Sequence, residues 1–197
     1  MITDEVGSVF RESLFLASSS PRRAEILRAV GWPFEVRAPN IDETRASEEI
    51  PEHYVKRLAR MKAAAVAAQQ NEGLVLGADT VVVVEGEILG QPVDDQEARR
   101  MLRLLRGKWH EVLTGVALVR AGISGCSIVD HETSRVRFGA MSDQEIEWYV
   151  DTGEPTGKAG AYAVQGRGAL FIEEIQGDYF NIVGLPIRLA YELSLKV

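Results

Sequence analysis

The chain is short of the residue types that build covalent and metal cross-links. Its 197 residues include one cysteine, Cys126, and three histidines, His53, His110 and His131. A lone cysteine excludes an internal disulfide and a cysteine-built metal site, and it suits a reducing compartment. The histidines show no zinc-ligand spacing and are expected to be structural or at the surface. Cys126 lies in a strand-like run and is expected to pack there. Positive charge is also scarce: 22 Lys and Arg stand against 29 Asp and Glu, a formal net charge of −7. General affinity for a nucleic-acid polymer needs a basic face, so no such partner is expected. An acidic chain that binds a polyanion must concentrate its cations locally or use a metal. No apolar stretch approaches membrane-spanning length, so no membrane partner is expected either. The segment Met1-Ile2-Thr3-Asp4-Glu5-Val6-Gly7 is acidic and lacks the apolar core of a signal peptide, which sets the expectation of a cytoplasmic protein.

What is present is ordinary in amount and unusual in placement. A composition 46% hydrophobic and 26% charged is that of a soluble globular domain. Residues 1–13 read as a loosely held extension, and 14–197 as one domain long enough to be bilobed. Leu14-Phe15-Leu16-Ala17 reads as a buried strand leading through three serines into a helix. Ser20 suits the N-cap and Pro21 the first helical position, with Gly31 as the stop. A second helix is predicted from Pro51 to about Gln70, with an apolar stripe of Tyr54/Val55, Leu58, Met61 and Ala65. Leu74–Val84 reads as a strand covered on both faces, turning at Glu85-Gly86-Glu87 into Ile88-Leu89. Asp94 with Glu97 and Ser142 with Glu145 mark two further helix starts. Trp109–Arg120 and Cys126–Phe138 read as long strands, joined around Gly122-Ile123-Ser124-Gly125. Strands are also expected at Ala169–Ile175 and Tyr179–Val183, and a last helix opens at Pro186. Helices interleaved with strands, with hairpins and crossovers both present, predict an α/β fold on a mixed sheet flanked by helices.

Four groups of residues carry chemistry. Around Ser18, Ser20, Arg22 and Arg23, hydroxyls and two guanidinium groups converge on one helix N-terminus. Such a place favours an anion, phosphate above all, though an ordinary capped helix with solvated arginines has the same residues. Asp79 stands in the most apolar strand, Val75-Leu76-Gly77-Ala78-Asp79-Thr80-Val81-Val82. A buried carboxylate is costly unless paired, so Asp79 is either a structural ion pair or a group that binds metal and deprotonates water. Thr80 should face the other side of the strand, unless Gly77 marks an irregularity. Glu43, in an acidic turn, is either solvated or a second oxygen ligand for a nucleotide-bound cation. Lys62 lies four residues after Leu58, on the apolar side of its helix, where it either snorkels or neutralises phosphate. The Gly-rich run from Glu154 to Gly168 adds Lys158, Arg167 and the donor–acceptor side chain of Gln165, suited to a base edge. It has neither Walker nor dinucleotide-fingerprint spacing. No serine or cysteine nucleophile with its base is nominated.

Ala17-Ser18-Ser19-Ser20-Pro21-Arg22-Arg23, Asp42-Glu43, Leu58-Ala59-Arg60-Met61-Lys62-Ala63, Gly77-Ala78-Asp79-Thr80-Val81, Lys158-Ala159-Gly160-Ala161-Tyr162, Gln165-Gly166 and Gly184-Leu185-Pro186 together resemble the Maf family of nucleoside triphosphate pyrophosphatases. The resemblance runs in order from Leu14 to about Leu195. It implies an elongated mixed sheet similar to the inosine triphosphatase architecture, and cleavage of a nucleoside triphosphate to monophosphate and pyrophosphate with a divalent cation, Mg²⁺ or Mn²⁺. It implies Asp79 as catalytic proton acceptor. Arg22, Thr80 and Gln165 fall on the positions that mark the dTTP/UTP branch, where a 7-methyl-GTP branch carries Trp, Gln and Glu. A house-cleaning role, a link to cell-division arrest and a homodimer are further implications. The alternatives are a 7-methyl-GTP or other modified-nucleotide pyrophosphatase, and a weakly catalytic nucleotide-binding division regulator. One departure stands out: Gln91 precedes Pro92 where the family usually has lysine.

Overall fold

In the computed structural model, which describes residues 12–122 and 126–197, the apolar run after Ser13 forms strand β1 (Leu14–Ala17). Helix α1 (Pro21–Ala29) follows at once, then the two-residue strand β2 (Glu35–Val36) and helix α2 (Pro51–Ala67). Strands β3 (Leu74–Val84) and β4 (Glu87–Leu89) form a hairpin, and helix α3 spans Asp95–Leu105. Strands β5 (Trp109–Arg120) and β6 (Ser127–Phe138) precede helix α4 (Asp143–Asp151). Two 3-10 turns, Ala159–Ala161 and Arg167–Phe171, lead into strand β7 (Ile172–Gln176), helix α5 (Tyr179–Val183) and helix α6 (Ile187–Ser194). The strands form one seven-stranded mixed sheet in the order β2-β1-β3-β5-β6-β7, with β4 beside β3. Pairing is parallel for β1 with β2 and β3, and antiparallel for β3 with β4 and β6 with β7. The mixed α/β fold expected from the interleaved pattern is the one observed.

By its contacts the chain divides into two units. The first holds the chain up to Asp79, Thr114–Glu132 and Gly184–Val197; the second holds Thr80–Leu113 and Thr133–Val183. In the first unit, α2 lies on the sheet through alanines: Ala59, Ala63 and Ala67 meet Ala17, Val75, Ala117 and Ala121. Two glycines make that approach possible. A Cβ on Gly77 of β3 would stand 2.2 Å from the Ala59 carbonyl oxygen, and one on Gly115 of β5 would stand 2.3 Å from that of Val55. Those distances are far inside van der Waals contact, so the helix backbone rests directly on the strands. In the second unit a larger core gathers Leu102, Leu105, Phe138, Ile146, Tyr149 and Phe171. Its helices α3 and α4 are capped as the sequence indicates. Asp94 accepts from the Glu97 amide, and Ser142 with Glu145 makes a reciprocal capping box.

Four local expectations are corrected. Ala169–Phe171 belongs to a 3-10 turn, and the strand begins only at Ile172. Tyr179–Val183 is a helix, because Asp178 accepts a hydrogen bond from the Phe180 amide and the buried Asn181 amide donates to the Val112 carbonyl and the Ser134 hydroxyl. Tertiary bonding there overrides the strand preference of Tyr, Phe, Ile and Val. The buried face of α2 is Val55, Leu58, Ala59, Lys62, Ala63, Val66 and Ala67, rotated away from Met61 and Ala65. Finally, Cys126 precedes β6 and is half-buried instead of packed within a strand. Residues 1–11 of the expected extension and 123–125 of the expected β5–β6 turn lie outside the described residues.

Candidate active site

The charged constellation of the first unit is built from β1, α1, α2, β3 and the loop before α2. Because Gly77 lets α2 touch β3, Lys62 on the helix comes to Asp79 two residues further along the strand. Lys62 Nζ donates to Asp79 Oδ1 at 2.7 Å and stands 3.0 Å from Glu43 Oε1. Lys62 and Asp79 are buried at 8% and 7% exposure, whereas Glu43 reaches in from an exposed loop. Two carboxylates from separate segments therefore converge on one ammonium. Burial pushes the Asp79 carboxyl above the usual carboxylate range; the charge and hydrogen bond of Lys62, then Arg23, pull against that rise, and Glu43 adds to it. A carboxylate raised above its ordinary range is a better proton acceptor than a solvated one, and Lys62 stands beside it as its cation.

The loop that carries Glu43 is held by α2. The Tyr54 hydroxyl donates to the Glu43 carbonyl at 2.9 Å, and Arg57 donates to Thr44 O at 3.1 Å and to both Glu49 carboxylate oxygens. Asp42 accepts from the Thr44 amide and hydroxyl, closing an Asx-type turn. Tyr54 was expected to be an apolar contact, and Arg57 carried no expectation at all. Their role depends on a loop conformation that spacing along α2 does not encode.

At the start of α1, Ser20 occupies the N-cap and Pro21 the first helical position, as expected, but the Ser20 side chain does not cap the helix. Instead Ser18 Oγ accepts from the Ser20 amide and from Arg23 Nη1, both at 3.1 Å. Arg23 is buried, and its Nε donates to the Gly184 carbonyl at 2.8 Å. Burial lowers the Arg23 guanidinium, while Asp79 opposes that fall, Arg22 adds to it and Glu43 opposes it more weakly, so these charges share one local field. Arg22 is half-buried; burial lowers it too, against a rise from Glu25.

The structure thus gathers Ser18, Ser20, Arg22, Arg23, Glu43, Lys62 and Asp79 in the first unit. Thr80, next to Asp79 on β3, and Gln165 belong to the second unit. Thr80 is half-buried, and Gln165 is exposed between the two 3-10 turns. The chain from 13 to 196 matches the family model described as Maf-like protein. The chain belongs to the Maf family. Among similar Maf relatives are proteins named dTTP/UTP pyrophosphatase. That of Symbiobacterium thermophilum is 52% identical over 182 residues, covering 92% of each chain, and that of Hahella chejuensis is 50% identical over 198 residues, covering 97% of each. The one from Clostridioides difficile is 49% identical, covering 93% of this Maf chain and 94% of its own. Among solved structures, the Staphylococcus aureus Ham1 protein is similar over 64% of this chain and 71% of its own, at 16% identity and a TM-score of 0.46.

Proposed function

We propose that this Maf chain hydrolyses dTTP and UTP to the nucleoside monophosphate and pyrophosphate. The observation that carries the proposal is the buried Lys62–Asp79 pair joined by Glu43, in a chain about half identical to proteins named for that reaction. A purely phosphate-binding site gains nothing from a buried carboxylate.

The donor set fits a divalent cation. Asp79 and Glu43 offer hard oxygen ligands that converge on one point, the Lys62 ammonium, at 2.7 and 3.0 Å. Among the described residues no group of three or more His, Cys, Asp or Glu could hold a metal. Two carboxylates completed by substrate phosphates and water are the usual complement for Mg²⁺ on a nucleotide, and Mn²⁺ accepts the same donors. Asp79 and Glu43 would hold the ion, which when bound neutralises charge on the phosphoryl oxygens.

Asp79 then serves as the proton acceptor for water. The water oxygen bonds to the α-phosphorus, the bond from that phosphorus to the bridging oxygen breaks, and pyrophosphate departs with that electron pair. Lys62 and Arg22 offset negative charge on the phosphates, the Ser18–Ser20 turn and the α1 N-terminus bind them, and the internally anchored Arg23 keeps a fixed positive field beside them. Gln165, with one donor and one acceptor, complements a uracil or thymine edge, with Arg22 and Thr80 in the same specificity set. This activity suits a house-cleaning enzyme of the cytoplasm, acting as a homodimer through the domain from residue 14 onward. Among the described residues no helix is long and apolar enough to cross a membrane.

The test is a panel of nucleoside triphosphates with Mg²⁺ and with Mn²⁺, separating pyrophosphate from phosphate release. UTP and dTTP should lead, with one pyrophosphate per monophosphate. Preference for 7-methyl-GTP, or release of inorganic phosphate alone, would refute the proposal.

A further inference from the structure

In the second unit, the loop that bears Gln165 is folded around a single carboxylate. Glu154 Oε1 accepts from the Tyr149 hydroxyl at 2.8 Å and from the Gly168 amide at 3.0 Å, and Oε2 accepts from the Arg167 amide at 3.0 Å. Tyr149 in turn accepts from the Ala163 amide at 3.2 Å. Main-chain groups on both sides of Gln165, at 163 and at 167 and 168, are therefore tied to one hub. The enclosure is close: a Cβ on Gly166 would stand 2.7 Å from Glu154 Oε2, and one on Gly168 would stand 2.7 Å from the Tyr149 hydroxyl. At Gly168 a Cβ would also stand 2.6 Å from the Ala163 carbonyl oxygen, so the backbone passes there only as glycine. Gln165 projects from this wrapped segment as an exposed residue.

We infer that Glu154 is a positioning residue for nucleobase selection: it fixes the pose of Gln165 without itself touching the base. The inference rests on the reading of Gln165 as the residue that meets the nucleobase. An amide in place of the carboxylate keeps the shape but has a single acceptor oxygen. Whichever way it is turned, its NH₂ group confronts the N–H of Arg167 or of Gly168, and one main-chain donor loses its partner. The loop then opens, and Gln165 presents its paired donor and acceptor at the wrong angle. Such a defect falls on nucleotides that Gln165 recognises, and spares those it does not.

The experiment is a double-mutant cycle on the full chain, with kcat and KM measured for UTP and GTP in wild type, Glu154→Gln, Gln165→Ala and the double variant. The expected result is a fall of about tenfold in the UTP-to-GTP ratio of kcat/KM for Glu154→Gln, carried mainly by KM for UTP, as for one lost recognition bond. In the Gln165→Ala background, Glu154→Gln should change that ratio no further. An equal loss for both nucleotides, or the same fall in both backgrounds, overturns the inference while leaving Gln165 as the base reader. An unchanged ratio for Gln165→Ala instead overturns the base-reading role, and this inference with it. If Glu154→Gln does not fold, Tyr149→Phe, which removes one donor to the same oxygen, takes its place in the cycle; an unchanged ratio there also overturns the inference.

Discussion

Each unit of the molecule contains an inward carboxylate, and the two are held in opposite ways. Asp79 is met by a side-chain ammonium on the end of a four-carbon arm, with Glu43 competing for the same charge. Glu154 is met by main-chain amides and a tyrosine hydroxyl that the fold cannot withdraw. The electrostatic results differ in sign. Burial raises the Asp79 carboxyl in spite of Lys62. Burial also works to raise Glu154, but the Arg167 and Gly168 amides and the Tyr149 hydroxyl outweigh it and hold the group below the usual range. Partners that can move leave a carboxylate able to exchange protons and ligands. Partners fixed in the backbone turn one into a structural anchor. The difference separates a reacting group from a group that shapes a loop.

The sharpest way to break that comparison is to remove the proton acceptor. Asp79→Asn should lower kcat by about 10²–10⁴ while the protein stays folded, because the near-isosteric amide takes no proton. Pyrophosphate release at the wild-type rate by a folded Asp79→Asn protein would end the assignment. Lys62→Met tests the exchangeable partner. Loss of a charge-assisted bond should cost about 10-fold or more in kcat/KM. The acid limb of the pH–rate profile should also move to higher pH, since Lys62 is the main influence lowering Asp79. A limb that stays in place means that Asp79 does not govern it.

The smallest effect is the most specific. A raised carboxyl keeps its proton in the folded state at pH values where the unfolded chain has lost it, so the Asp79 contribution to stability weakens as pH rises through that window. A lowered carboxyl does the reverse: the Glu154 contribution is complete above the usual carboxylate range and is lost as pH falls. On acidification from pH 7, chemical denaturation should therefore show the stability of wild type relative to Asp79→Asn rising. The stability of wild type relative to Glu154→Gln should fall. Slopes of the same sign would mean that the two environments are not distinct. His110 supplies a background term common to all variants, since burial lowers it to about 4. The unfolded chain takes up a proton there before the folded one does, costing roughly 2 kcal/mol between pH 7 and 5.

What could be read from the sequence was mostly what broke a rule. Asp79 in an apolar strand and Lys62 on the buried side of a helix each conflict with the local pattern, and both are buried as that conflict implies, whereas Pro21 after Ser20 follows the rule for a helix start. Glu154 broke no rule. An acidic residue ahead of a Gly-rich loop is unremarkable until the amides of residues 167 and 168 fold back on it, and amide direction leaves no trace in residue type. The only available sign was a carboxylate heading a segment otherwise marked by Lys158 and Arg167. Strand β2, two residues long, offers no periodicity to detect. The helix at Tyr179–Val183 was hidden by strand-forming residues whose conformation is set by Asp178 and Asn181. Gly77 was legible as an irregularity, but not as the seat of a helix.

That seat makes the reacting pair a matter of tolerances. With no side chain between the α2 backbone and β3 at Gly77, the distance between the main chains that carry Lys62 and Asp79 is set by direct touch, like machined faces without a gasket. Glycine inside a strand carries an entropic cost of roughly 0.5–1 kcal/mol relative to alanine. In return, thermal repacking of neighbouring side chains has little leverage on the gap. A single methyl at position 77 would act as a shim, lifting the helix and lengthening the ion pair with no change to any charged residue. Position 77 is therefore a mechanical control on the electrostatics of the site.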